Sequence, residues 1–282
     1  MFFFIGMLKN HIKEIMYRHL LFVPTEGQRI LIDSLADMLC SSSNCQLALI
    51  KGYAGTGKTS VVSAFVKTLN DFKMRPVLMA PTGRAAKVLS AYSGELAFTI
   101  HKKIYRQKYS SDGFGSFVLS FNTYNNVFFI VDEASMISHY SSDIGRGGVF
   151  SNPFGSGNLL DDLLKFVYND RNCRLILIGD TAQLPPVGQE ESPAMDRSRF
   201  AKYDIFECEL TEVVRQSQES GILKNATIIR EMITKTHHGG VYTGVCDTGV
   251  LHTPPMGYPK LETESFTDVE RISGGDLIET IN

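Results

Sequence analysis

An α/β fold, with helices covering both faces of a parallel sheet, is predicted by two features of this 282-residue sequence. The first is a set of short runs, LALI (47–50), PVLMA (76–80), VFFIVDE (127–133) and RLILIGD (174–180), that are continuously apolar and do not alternate. Strands of that kind are usually buried on both faces, as in a parallel sheet. The second is the amphipathic stretches between them: SVVSAFVKTLNDF, with Val62, Phe65, Val66 and Leu69 on one face, and GRAAKVLSAY.

Taken in order, the opening MFFFIGML is apolar but short, and Lys9, Lys13 and Glu14 follow at once, so it reads as packing and not as a signal or membrane segment. Thr25 is placed to cap a helix over QRILIDSLADML. After the second helix, residues 105–126 break the pattern with two short runs around Asp112-Gly113-Phe114-Gly115, which predicts a small β-hairpin insertion. Phe114, Phe117 and Phe121 in it are expected to bury one face of the hairpin. Gly- and Ser-rich residues 141–156 read as a loop, and 159–168 and 220–235 as helices. The remainder is dominated by Gly, Thr and Pro, and a helix start is expected at Asp276.

Composition bounds the function. With 43% hydrophobic residues the chain can bury a full core. The five cysteines, Cys40, Cys45, Cys173, Cys208 and Cys246, are odd in number and lack paired C-x-x-C spacing, which excludes a disulfide framework or zinc site and points to a reducing cytoplasm, with no membrane role. A net charge of −2 argues against a broad basic surface, though a local groove for a single strand needs none.

The strongest chemical signal is GYAGTGKT (52–59), a G-x-x-x-x-G-K-[ST] match lying between a buried strand and an amphipathic helix. Gly52, Gly55 and Gly57 let successive amides, Thr56 among them, turn inward on phosphate oxygens at a helix N-terminus. Lys58 is expected to neutralise the terminal phosphates, and the Thr59 hydroxyl to ligate Mg²⁺. Such a loop needs a carboxylate on a neighbouring strand, and Asp132 at the end of VFFIV supplies it, with Glu133 next in line to orient or deprotonate the attacking water. A third strand end, GDTAQLPPVG (179–188), puts Gln183 where an amide can sense the γ phosphate, and Pro185 and Pro186 stiffen that loop.

The motifs GYAGTGKT, APTGRAA, TIH, VDEASM, GDTAQLPPVG and LTEVVRQ, in this order over residues 24–230, resemble those of superfamily 1 DNA helicases, and of the RecD-like branch in particular (the exodeoxyribonuclease V α subunit). The resemblance implies a RecA-like P-loop NTPase domain, ATP and Mg²⁺ as cofactors, and 5′ to 3′ movement on single-stranded DNA. It implies further that Gln28 reads adenine, that Thr82, Gly83 and Arg84 with Thr99 and His101 lie on the DNA, and that Gln183 couples DNA to nucleotide. Arg215 is expected to reach the γ phosphate from a second domain. Other repair or recombination proteins are the implied partners. The residues agree with these roles physically: an amide matches an adenine edge, and Thr82 to Arg84 open a helix whose N–H groups can grip phosphate.

The expected organisation is an N-terminal extension (1–23), a RecA-like ATPase domain (24–205) with the insertion at 105–126, and an incomplete start of a second such domain (206–282). Only some fifty residues follow Arg230, so a truncated core with weak hydrolysis is expected. An ATP-binding switch without translocation and an inactive fragment are the competing readings; intact Lys58, Asp132 and Glu133 speak against the latter.

Overall fold

A computed structural model describes residues 2–41, 43, 45–109, 115–138, 154–169, 172–183, 186, 192–212, 221–222 and 224–229. The chain forms two compact units, Met1–Glu212 and Val213–Asn282. In the second, residues 221–222 and 224–229 are helical, within the helix expected over 220–235. Arg215, the 141–153 part of the Gly/Ser-rich loop, Phe114, Pro185, Cys246 and the expected helix start at Asp276 lie outside the described residues.

The first unit is built on six parallel strands: β1 (Gln46–Gly52), β2 (Val77–Ala80), β3 (Ala97–Thr99), then, beyond a hairpin formed by β4 (Tyr105–Tyr109) and β5 (Gly115–Leu119), β6 (Phe128–Val131), β7 (Arg174–Gly179) and β8 (Asp204–Leu210). The sheet order is β3-β2-β6-β7-β1-β8. All its pairings are parallel, with β1 flanked by β7 and β8 (Leu47↔Leu175, Leu47↔Ile205). The strands β1, β2, β6 and β7 are buried along almost their whole length, the burial their unbroken apolar runs predict.

Two cores result, because successive side chains point to opposite faces. Ala48, Ile50, Ile130, Ile176 and Ile178 face α1 (Phe2–His19), α2 (Glu26–Cys40), α3 (Lys58–Asp71) and α4 (Gly83–Ser93). Leu47, Leu49, Met79, Phe129, Leu175 and Leu177 face α5 (Ile100–Ile104), α6 (Leu159–Val167) and the hairpin base. Helices therefore cover both faces, and the hairpin insertion is present as an antiparallel pair with Tyr105↔Leu119 at its base. Phe117 stacks on Phe154 at 4.5 Å between ring centroids, whereas Phe121 is largely exposed.

Three elements differ from the sequence reading. The segment 1–23, expected as an extension ahead of the domain, is part of it: Ile12 and Met16 of α1 are buried in the first core, and Lys9 and Lys13 pair with Asp33 of α2 at 2.6 and 2.7 Å. The boundary drawn between 205 and 206 falls inside β8, which completes the sheet beside β1. The strand β3, three residues long, also joins the sheet edge beyond β2. Among the described residues no helix is long and apolar enough to cross a membrane, and no cluster of metal-ligating side chains stands ready-made.

Candidate nucleotide site and nucleic-acid face

In a parallel sheet every strand delivers its following loop to the same edge, and among the described residues this edge carries the motifs that follow β1, β2, β3, β6 and β7. Loop 53–57 follows β1, Thr82 to Arg84 follow β2, Thr99 ends β3 and leads into His101, Asp132 and Glu133 follow β6, and Asp180 to Gln183 follow β7. Asp132 is not on the strand next to β1, as expected from sequence, because β7 lies between. That spacing leaves room at the sheet edge for Gln183 between loop and carboxylates.

The loop is shaped by local backbone demands. Gly55 and Gly57 have φ of 79° and 80°, a left-handed conformation that glycine adopts without steric cost. At Gly52 the reason is crowding: a Cβ there would lie 2.8 Å from the Leu210 carbonyl oxygen of β8 and 3.0 Å from Thr56 Oγ1. Thr56, fully buried, turns its hydroxyl back onto the Tyr53 carbonyl at 2.8 Å. Lys58 Nζ donates to the Gly52 and Tyr53 carbonyls at 2.7 and 2.8 Å, which holds the ammonium over the loop.

Tyr53, Gly55, Gly57 and Lys58 line a cleft of about 280 Å³ together with Thr59, Asp132, Glu133, Gly179, Asp180 and Gln183. The Asp132 carboxylate accepts the Glu133 N–H at 2.9 Å through one oxygen and the Tyr92 hydroxyl through the other. Glu133 itself sits in the left-handed region at φ 54°, a conformation that costs a residue with a Cβ about 1–2 kcal/mol. Burial, reinforced by the Asp132 charge, pushes the Glu133 carboxyl above its ordinary pKa, against a hydrogen bond with Gln183 and the Lys58 ammonium. The Gln183 carbonyl accepts the Ser135 hydroxyl at 3.3 Å, so this amide touches both Glu133 and the turn behind it.

Gln28 is held by the protein itself. Its side chain is fully buried; Nε2 donates to the Thr56 carbonyl at 2.9 Å and Oε1 accepts the Thr25 N–H at 3.1 Å in a capping box. In the folded chain the amide therefore braces the phosphate-loop segment at Thr56.

Residues 25–143 match a family model described as an AAA domain. Over 204 residues the chain is 28% identical to the ATP-dependent RecD2 DNA helicase of Deinococcus radiodurans, covering 72% of this chain and 24% of that protein. Over 194 residues it is 31% identical to the ATP-dependent DNA helicase dda of Enterobacteria phage T4, covering 64% and 37%. The chain is thus similar in sequence to two ATP-dependent DNA helicases, a RecD2 among them. It spans about a quarter to somewhat over a third of the length of these two relatives. Among solved structures, Pif1 helicase from Candida albicans aligns with a TM-score of 0.43 at 19% identity, over 78% of this chain and 45% of that one.

The other motif residues lie on the same edge of the sheet. Thr82 caps α4 by accepting the Ala85 N–H at 3.2 Å, and Gly83 and Arg84 are exposed on its first turn. Thr99 caps α5 in the same way, accepting the Lys102 N–H at 3.2 Å. His101 is half-buried against Phe154, ring centroids 5.1 Å apart, and burial lowers its pKa, which keeps the imidazole neutral. Asp180 and Tyr92 were not singled out from the sequence; Asp180 had a signal in its position at a strand end, whereas Tyr92 had none.

Proposed function

We propose that this chain is the ATPase core of a DNA helicase or translocase, coupling Mg²⁺-ATP hydrolysis to 5′ to 3′ movement along single-stranded DNA. The observation that supports it best is the convergence on one sheet edge of a phosphate loop, two carboxylates and Gln183 with two capped helix starts, at Thr82 and Thr99. A switch that only binds nucleotide has no use for the last two.

In this reading the loop amides of Gly55 to Gly57 and Lys58 hold the phosphates, and Thr59 and Asp132 are the residues that would hold the cation. Their hydroxyl and carboxylate oxygens form the hard donor set that Mg²⁺ prefers. Bound there, the cation would offset phosphate charge. Glu133, held close to Gln183 and with raised basicity, takes the water proton. Gln183 is placed to report the state of Glu133 to Ser135. Gln28 keeps Thr56, and with it the loop, in register. Thr82, Gly83, Arg84, Thr99 and His101 form the single-strand face, and Arg215 is the residue that the same reading assigns to the γ phosphate. Repair or recombination partners and a cytoplasmic setting extend the same reading.

The test is nucleotide binding and hydrolysis by this chain with and without oligo-dT, with Lys58→Ala as control. Binding lost on Lys58→Ala, together with hydrolysis raised by oligo-dT, supports the motor. Nucleotide binding that oligo-dT leaves untouched sinks it in favour of the switch. Duplexes with a 5′ or a 3′ single-stranded tail test the direction.

A further inference from the structure

Tyr92 is not part of any motif, yet it touches more of the cleft's machinery than most motif residues. It sits on the last turn of α4, the helix whose first turn carries Gly83 and Arg84. Its hydroxyl donates to the Asp132 carboxylate and also hydrogen-bonds with Thr59. Its backbone carbonyl accepts the Ser63 hydroxyl of α3 at 2.9 Å. Two residues earlier, Ser90 accepts the Ala97 N–H of β3 at 2.8 Å, and β3 runs directly into Thr99. The C-terminal turn of α4 is therefore fastened at once to the phosphate-loop helix, to the carboxylate strand and to the strand that leads to the second motif of the single-strand face.

The phenol hydroxyl donates to the Asp132 carboxylate across 40 positions of sequence. Asp132 has one oxygen fixed by its own neighbour, Glu133 N–H, and the other fixed from a different element, α4. An α-helix of 11 residues is a rod of about 16 Å, and a shift at one end of a rod is delivered at the other.

Resting on the reading of the cleft as a Mg²⁺-nucleotide site beside a single-strand face, we infer that Tyr92 is a positioning residue that couples the two. Through its hydroxyl, whatever grips the first turn of α4 sets the orientation of the Asp132 carboxylate and the Thr59 hydroxyl, the two groups assigned to the cation. If Tyr92 instead only fills the space between α3 and α4, phenylalanine would serve equally well.

The experiment is equilibrium binding of a fluorescent ATP analogue to the full chain, with and without Mg²⁺ and with and without oligo-dT, for the unaltered protein, Tyr92→Phe and Lys58→Ala. For Tyr92→Phe, binding without Mg²⁺ and binding of oligo-dT alone are expected to match the unaltered protein, with the melting temperature lower by a few degrees at most for the one lost hydroxyl. The gain in nucleotide affinity on adding Mg²⁺ is expected to fall about ten-fold. The effect of oligo-dT on nucleotide affinity, about five-fold or more in the unaltered protein, is expected to shrink toward none. The inference is overturned if Tyr92→Phe keeps either the full Mg²⁺ gain or the full oligo-dT effect, or if it weakens Mg²⁺-free binding and lowers the melting temperature in step. If the unaltered protein binds no nucleotide, or binds it regardless of Lys58→Ala, the reading of the cleft fails first and the inference with it.

Discussion

At the scale of single residues, the side chains that meet in the cleft are those whose signals are local. Lys58 and Thr59 follow from an eight-residue motif, and Asp132, Glu133 and Gln183 from their places just beyond apolar runs. Gln28 shows the limit of that logic. Its helix and cap were legible, but the carbonyl it braces belongs to Thr56, 28 positions on, and that contact decides what the amide does. Removing it with Gln28→Ala deletes a capping box and a buried hydrogen bond, and should cost about 1–3 kcal/mol in denaturant unfolding. Nucleotide affinity should fall for ATP and GTP alike, measured by competition; a selective loss for ATP would support the adenine-reading role. Tyr92 was illegible for the same reason, since its carboxylate partner lies 40 positions away.

At the scale of elements, the four long apolar runs were readable because each is buried on both faces, and the two missed strands because they are not. The strand β3 has only three half-buried residues, too few to form a pattern. In β8, DIFECEL, exposed and covered positions mix along an edge strand, and the charges of Asp204, Glu207 and Glu209 mask it. One of those charges holds the edge on: Glu207 pairs with Lys51 of β1 at 2.6 Å and with Arg197 at 3.1 Å. Desolvation opposes its ionisation, yet the two cations win and keep its pKa below the ordinary carboxylate value. A carboxyl depressed in the folded state stabilises above its unfolded pKa, about 4.3, and loses that contribution as pH falls through the lower folded value. Glu207→Gln should therefore cost about 1 kcal/mol at neutral pH. Urea titrations of the two proteins should converge as pH drops below about 4; a gap that widens with acid would contradict the assignment.

At the scale of the whole molecule, the fold class was legible and its outer limits were not. The opening segment MFFFIGML reads as apolar packing, but only the middle and later turns of α1 reach the core, while Ile5, Met7 and Leu8 remain exposed. Composition could not separate these halves, because what buries Met16 is the placement of α2 and α3. Met16, fully buried, makes the domain depend on its first helix: Met16→Ala should destabilise the unit by about 2–5 kcal/mol. A melting temperature unchanged by that substitution would show α1 to be dispensable.

The strand order also fixes when the phosphate loop can take shape during synthesis. Strand β1 leaves the ribosome early, but its flanking partners come late: the Gln46 side chain meets Arg174, 128 positions on, and β8 follows only at Asp204–Leu210. Gly52 leans on Leu210, at the far end of that strand. Long-range parallel pairing of this kind is slow. Until β8 has emerged, the loop lacks the wall it packs against, so any ligand that needs the formed loop is captured only after the sheet has closed.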